Sequence, residues 1–566
     1  MDVLDRLENV PNPIKRRKNT EILSSGWLYS SDGDIYRDIK IPFCPQSALS
    51  KINAKERLKK VFYKNNFTVK PDFNRVFINF GAVDYRAKLY INKRFVGEHV
   101  GGYTPFSFDI TSFIGGGINE LYLEAEDDEP NIASGKQTTK DGSYGCFYTR
   151  VTGIWQPVWL EYTPENFIKN FRFFPNVRNG SVDVELSVFG GGECGIDVLL
   201  KGEKVGSYDG YINGNGRVTI PLFKKMLWGV EKGELYDVKI SFSGDEVSSY
   251  FGLREVCYNG YGFYINGEEV YQKLVLVQGY YEGGIYTPKS VQDMQADIDR
   301  AKELGFNGMR LHQKLFDPRF LYLCDKAGIM VWGEFPSWGI DYATDDYYDR
   351  LCAEWKDALE RDFNHPSIIT WCPLNEVWTE NTQNYLKYVN GLFKITKEFD
   401  GTRPCVDASG GYHGEKTDVY DFHCYESNEN LKKYLAELNE RDVLDVPLLN
   451  DKRNGLRYQK GLPVNVSEFG GIPFGNKVAN NREMTDKEWT DGGAWGYGNG
   501  ETDGDSFVKR YRELAESIFA CEKVSGFCYT QLYDVEQEQN GFYFYDRTDK
   551  LSEEQKKEIK RINSEK

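Results

Sequence analysis

From about residue 20 to 162, apolar and polar positions alternate in short runs broken by turn residues, as in Asn74-Arg-Val-Phe-Ile-Asn-Phe and Ala87-Lys-Leu-Tyr-Ile-Asn. A period of two belongs to strands with one buried face, so the stretch reads as an all-β domain. Between 163 and 257 the runs SVDVELSVF, CGIDVLLKG, GRVTIPL and LYDVKISFSG repeat the pattern between Gly-rich turns. That is the size and spacing of an immunoglobulin-like sandwich. Near 258 the pattern changes. After Ser290, Val291, Met294, Ile298, Ala301 and Leu304 recur at three- and four-residue steps, Gly305 follows as a left-handed cap, and the strand NGMRLH begins. Strand runs LVLVQG, NGMRLH, IMVWGE, IITWCPLNE, RPCVDAS, VYDFHC, PVNVSE and GFCYTQL alternate with helical patterns. Eight of them in about 300 residues fit a (β/α)8 barrel. The expected domains are 1–162, 163–257 and 258–566, packed together without a long linker.

Composition narrows the function. At 566 residues the chain exceeds one hydrophobic core. With 70 Lys plus Arg against 86 Asp plus Glu, the net charge of -16 repels phosphate backbones, so nucleic acid is not an expected partner. The basic run Lys15-Arg16-Arg17-Lys18 reads as a solvated or packed arm. The N-terminal segment lacks the apolar stretch of a signal peptide, and no window approaches a membrane span, so a cytoplasmic protein without a membrane partner is expected. Eleven cysteines without a CxxC pair read as reduced core thiols. Five histidines without HExxH point away from a metal or other cofactor. An aromatic content of 15% suits sheet cores and stacking on sugar rings.

In such a barrel the chemistry sits at the C-terminal ends of the strands. The fourth run ends Trp371-Cys372-Pro373-Leu374-Asn375-Glu376 and the seventh Val464-Asn465-Val466-Ser467-Glu468, each delivering one glutamate to the mouth. A lone strand-end carboxylate is as readily a salt-bridge partner or a helix N-terminal charge. Two facing one cavity are the minimum equipment for glycoside hydrolysis, one a neutral acid for the leaving oxygen and one an ionised nucleophile. Asn375 is placed to meet the sugar 2-hydroxyl as the transition state forms.

NHPSIITWCPLNEVW (364–378) resembles the acid/base signature of glycoside hydrolase family 2, which holds β-galactosidases, β-glucuronidases, β-mannosidases and some α-L-arabinofuranosidases. VDYRAKLYINKRFVGEHVGGYTPFSFDIT (83–111) and TGIWQPVWLE (152–161) are similar to the family's N-terminal jelly roll, and GFNGMRLHQKLFDPRFLYLCDKAGIMVWGE (305–334) to its second and third barrel units. The resemblance spans 20–566. It implies a jelly roll, an immunoglobulin-like sandwich and a catalytic barrel, with Glu376 as acid/base and Glu468, in VSEFGG, as nucleophile of a retaining reaction. It further implies that Arg310 keeps the nucleophile ionised and that Tyr425 hydrogen-bonds it. His312, Glu334, His423, Trp378, Trp495 and Gln531 are further candidates for the substrate site, with Trp338, Asp534 and Glu536 near it. The family's members often dimerise or tetramerise, so a homo-oligomer is a further expectation.

β-Glucuronidases usually carry Asn-x-Lys after the eighth strand to hold the uronate carboxylate, and no such triplet follows Gln531. A neutral terminal sugar is therefore expected, β-galactoside first. α-L-arabinofuranoside, β-glucuronide and β-mannoside are the alternatives. The rival class is a carbohydrate-binding protein without catalysis, against which the intact glutamate pair speaks.

Overall fold

The computed structural model describes residues 7–475, 493–498, 500–501 and 503–566, with residue 4 and the backbone of 479 and 480. Two antiparallel sheets form the first β unit. One runs Phe106–Asp109, Arg75–Phe80, Val158–Thr163, Thr20–Ile22; the other is built around Lys60–Phe67, Asn119–Glu126 and Arg86–Ile91. Burial alternates along Lys60–Phe67 as the period of two requires. Val61, Tyr63, Ile78, Phe80, Leu89, Leu121 and Leu160 share one apolar core.

In the second β unit, SVDVELSVF and CGIDVLLKG are not two strands but one, Ser181–Leu200. Its first half pairs with Phe167–Asn176 and its second with Tyr236–Phe242. The strand switches partners at Gly190, whose φ of +79° a side chain rarely adopts and where a Cβ would meet Asn166 at 2.1 Å. The basic arm is packed. Arg16–Arg17 pairs with the strand Asp245–Phe251, and the buried Arg17 guanidinium donates to Glu161 at 2.9 Å, to Asp245, and to the Ile168 carbonyl at 2.8 Å. That cation joins the two β units.

The barrel sheet is parallel throughout. In spatial order it runs Ile368–Cys372, Met330–Glu334, Gly308–Leu311, Gln272–Val277, Val524–Thr530, Val464–Gly470, Tyr420–Cys424. These are the fourth, third, second, first, eighth, seventh and sixth strands. RPCVDAS, expected as the fifth, forms only isolated bridges beside the fourth, Trp371 to Cys405 and Asn375 to Ser409. Pro404 has no N–H to give a ladder. Toward the sixth strand this segment is tied by side chains, Ser409 Oγ donating to Asp421 at 2.6 Å. The helix after Ser290 is Val291–Glu303, capped by the Ser290 hydroxyl and followed by Gly305 at φ +82°.

All eleven cysteines are free. Among the described residues no helix is long and apolar enough to cross a membrane.

Candidate active site

Arg310 organises the mouth of the barrel. Every residue of the strand Gly308–Leu311 is buried, and its one guanidinium lies wholly inside. Nε donates to Glu334 at 2.8 Å, Nη1 to Glu468 at 2.7 Å and to the Ser467 carbonyl at 3.1 Å, and Nη2 to Asn375 Oδ1 at 2.6 Å. A planar fork of donors thus holds three strand ends in fixed relation. Burial opposes the charge of Glu334, but Arg310 and His312 outweigh it and hold that carboxyl at about 2. For Glu468 burial likewise works upward, and His423, Arg310, His312 and Lys136 bring it well below the usual carboxylate range. Tyr425 donates its hydroxyl to the other Glu468 oxygen, and burial with that neighbouring charge keeps the phenol protonated.

His423 spans the two glutamates. Its Nδ1 lies 2.7 Å from Glu376 Oε1 and its Nε2 3.4 Å from Glu468 Oε1. Burial disfavours a charged imidazole, yet Glu468 and Glu376 together raise its pKa. Glu376 has φ +48°, in the left-handed region, and its N–H donates to the Ser409 carbonyl at 2.8 Å. A locally costly backbone is thereby pinned where it directs the carboxyl to the mouth. One ligand atom each of Glu376, His423 and Glu468 falls within a 4.8 Å cluster, so an oxygen of each glutamate lies within that distance of the other. The same three atoms would suit a divalent ion by type, but the Arg310 guanidinium already binds the shared Glu468 oxygen.

Other expected site residues divide. Asn375 is fully buried, with Nδ2 lacking a partner among the described residues. Trp378 is half exposed at the rim. Trp338 donates its indole N–H to the Asn375 carbonyl at 3.1 Å. Trp495, a candidate either to stack on sugar or to anchor its loop, is completely buried with its N–H on the Gly145 carbonyl at 2.8 Å, the arrangement of a loop anchor. Gln531 is buried and donates to Asn540 at 2.8 Å, while its Oε1 has no partner among the described residues. Glu334 and His312 face each other at 2.9 Å, and both are buried rather than exposed to the mouth. Asp534 pairs with Lys550 at 2.6 Å and Glu536 accepts from the Thr149 N–H, both outside the cluster.

The sequence reading missed Lys136, Tyr497, Ser409 and Glu538. Tyr497 stacks on Tyr425 with centroids 3.7 Å apart. Ser409 ends the run RPCVDAS and could have been found by the strand-end rule; the other three lie outside the strand runs, and Lys136 comes from a different domain.

A model described as "Glycosyl hydrolases family 2, TIM barrel domain" matches residues 286–452, and one described as "Glycosyl hydrolases family 2, sugar binding domain" matches 18–161. Together the two models span more than half the sequence, and the chain belongs to glycoside hydrolase family 2. A β-galactosidase of Thermoanaerobacterium thermosulfurigenes is 28% identical over 72% of this chain, and a β-glucuronidase of Felis catus 25% over 70%. The chain spans 57% of the first relative's length and 65% of the second's. A β-galacturonidase structure from Eisenbergiella tayi covers 98% of this chain, which in turn covers 99% of that one, with TM-score 0.75 at 20% identity. A β-D-glucuronidase structure from Dictyoglomus thermophilum gives TM-score 0.78 at 19% identity, covering 98% of each chain.

Proposed function

We propose that the chain removes a terminal β-linked sugar with retention of configuration, Glu468 acting as nucleophile and Glu376 as acid/base. The observation that carries this is the spacing of the two carboxyls, with oxygens within 4.8 Å. Inverting enzymes hold theirs about 6.5–9.5 Å apart to admit a water, whereas about 5–5.5 Å suits direct attack on the anomeric carbon. The environments diverge as the mechanism needs. Glu468 is held ionised by His423 and Arg310, while Glu376 lies against His423 at 2.7 Å and, among the described residues, has no arginine or lysine bonded to it.

In the first step the Glu376 proton passes to the leaving oxygen, the glycosidic C–O bond breaks, and Glu468 closes an ester on the anomeric carbon. In the second, Glu376 takes a proton from water, whose oxygen attacks that carbon and releases Glu468. Asn375, oriented by Arg310 through Oδ1, has its free Nδ2 to donate to the 2-hydroxyl. The names of the curated relatives favour β-galactosides and β-glucuronides over the α-L-arabinofuranoside alternative.

The test is hydrolysis of p-nitrophenyl β-galactoside, β-glucuronide, β-mannoside and α-L-arabinofuranoside by wild type and Glu468→Gln. Release from a β-glycoside that falls by about 10⁴-fold or more in the variant supports the reading, by the precedent of catalytic-nucleophile removal. Silence across the panel in folded wild type, or turnover that survives the substitution, contradicts it.

A further inference from the structure

The first β unit reaches into the catalytic mouth. Ser134 N–H and Gly135 N–H donate to the Trp338 carbonyl at 2.9 and 3.2 Å, and Asn131 Oδ1 accepts from the Asp341 N–H at 2.6 Å, so this segment is seated on the loop after the third barrel strand. Gly135, at φ +56°, passes so close that a Cβ would sit 2.3 Å from the Gln313 carbonyl oxygen. The next residue is Lys136. It is 7% exposed, with its Nζ 5.4 Å from the Trp338 ring centre and 5.8 Å from that of Tyr148. Trp338 is the indole bonded to Asn375, so the ammonium stands one ring away from the residue beside Glu376.

Negative groups around this cation outweigh its burial and raise its pKa, but the direct pairing is loose. Among the described residues its one ion pair is with Glu538, at 4.0 Å, with Glu468 and Glu376 acting at longer range, and Glu538 already accepts from Tyr148 and from Asn540 at 3.1 Å. Among the described residues no hydrogen bond from Nζ is formed, so its donors are available to a ligand on a side chain 7% exposed. Such a group gains strongly from an acceptor, and most from an anionic one. Arg310, the strongest cation in the site, is spent on Glu334, Glu468 and Asn375. Lys136 also contributes to depressing Glu468 and His312, so its charge is felt at the catalytic glutamate.

We infer that Lys136 is a specificity-determining residue that binds the carboxylate of a terminal hexuronic acid, so that the enzyme prefers β-hexuronides to the matching neutral β-hexosides. This rests on the glycosidase reading above and departs from the expected neutral sugar. That expectation sought a lysine after the eighth strand, whereas here the lysine is supplied by another domain.

The experiment compares p-nitrophenyl β-D-glucuronide with β-D-glucoside, and β-D-galacturonide with β-D-galactoside, for wild type, Lys136→Met and Lys136→Arg. In wild type, kcat/KM for a uronide should exceed that for its neutral partner by on the order of 100-fold, the scale of one buried charge-assisted contact. Lys136→Met should collapse that ratio, and Lys136→Arg should keep most of it. A wild type that takes the neutral sugar equally well or better overturns the inference, and needs no variant to fold. So does a Lys136→Met variant that slows both members of a pair by the same factor, the mark of a merely structural lysine. Failure of the glycosidase reading looks different, since then neither a member of either pair nor the β-mannoside or α-L-arabinofuranoside is hydrolysed, whereas turnover of one of those two alone overturns only this inference.

Discussion

At Arg310 a single side chain serves two carboxylates and an amide, and the planarity of its guanidinium allows it to do so. An ammonium has the charge but not the fork, so Arg310→Lys should lower kcat/KM by about 10²–10³, the rate equivalent of breaking part of a buried ion-pair network. Steady-state kinetics on the best aryl glycoside checks this, and a loss under tenfold would mean that the Arg310 contacts to Glu334, Glu468 and Asn375 do not govern the nucleophile. At Glu376 the expected signature is different. Glu376→Gln should lose little on a substrate whose leaving group needs no proton, such as a dinitrophenyl glycoside, in the bond-breaking step, and added azide should restore turnover by replacing the activated water. Equal loss on good and poor leaving groups would contradict the acid role. Glu376 and Glu468 were legible as residues of the barrel mouth because each ends an apolar run, and a strand that buries both faces offers its terminal polar residue few other uses; Arg310 was pointed to by the family resemblance. For Trp495 the sequence left platform and anchor open, because burial decides between them and its neighbours in sequence do not reveal it.

Among the elements, the strands of period two and the helix from Ser290 to Gly305 were readable because backbone geometry imposes their spacing on the side chains. Two features were not. The kink at Gly190 looks like a turn in the sequence, yet pairing resumes beyond it, so one strand serves where two were expected. The fifth barrel strand has the right apolar content but joins its neighbours mainly through Ser409, His413 and the bridges at Cys405 and Ser409, since a proline near its start breaks the ladder. The segment carrying Lys136 is an element-scale device, and Gly135 is its fulcrum. Gly135→Ala combines a disfavoured left-handed φ, costing about 1 kcal/mol, with a contact to the Gln313 carbonyl that requires the segment to lift. Thermal unfolding should show a lower Tm and kinetics a raised KM. An unchanged KM would show that the seat of this segment on the barrel does not shape the site.

For the whole molecule, the contact between the β units and the barrel carries a titratable latch. Glu354 in the helix Tyr348–Asp362 accepts from Tyr85 of the first β unit at 2.9 Å and from Tyr347 at 2.7 Å, and burial raises its carboxyl to about 7 despite those donors. Below about pH 4.5 the group is protonated folded or unfolded and has no effect on stability. As pH rises toward 7 the unfolded chain releases a proton that the folded chain keeps, so stability falls, and above 7 the deficit levels near 3 kcal/mol. Glu354→Gln should therefore raise Tm by a few degrees more at pH 8 than at pH 5. An equal shift at both would place the carboxyl in water rather than in the latch. The domain order was legible in the change of period along the chain, but the latch was not, because Tyr85 and Glu354 meet only when the domains dock. The central claim, attack by Glu468 at carboxyl-to-carboxyl contact distance, is tested most directly by proton NMR of the first sugar released from the best aryl β-glycoside. The β-anomer should appear first and mutarotate to the equilibrium mixture; first appearance of the α-anomer would mean that water, not Glu468, makes the attack.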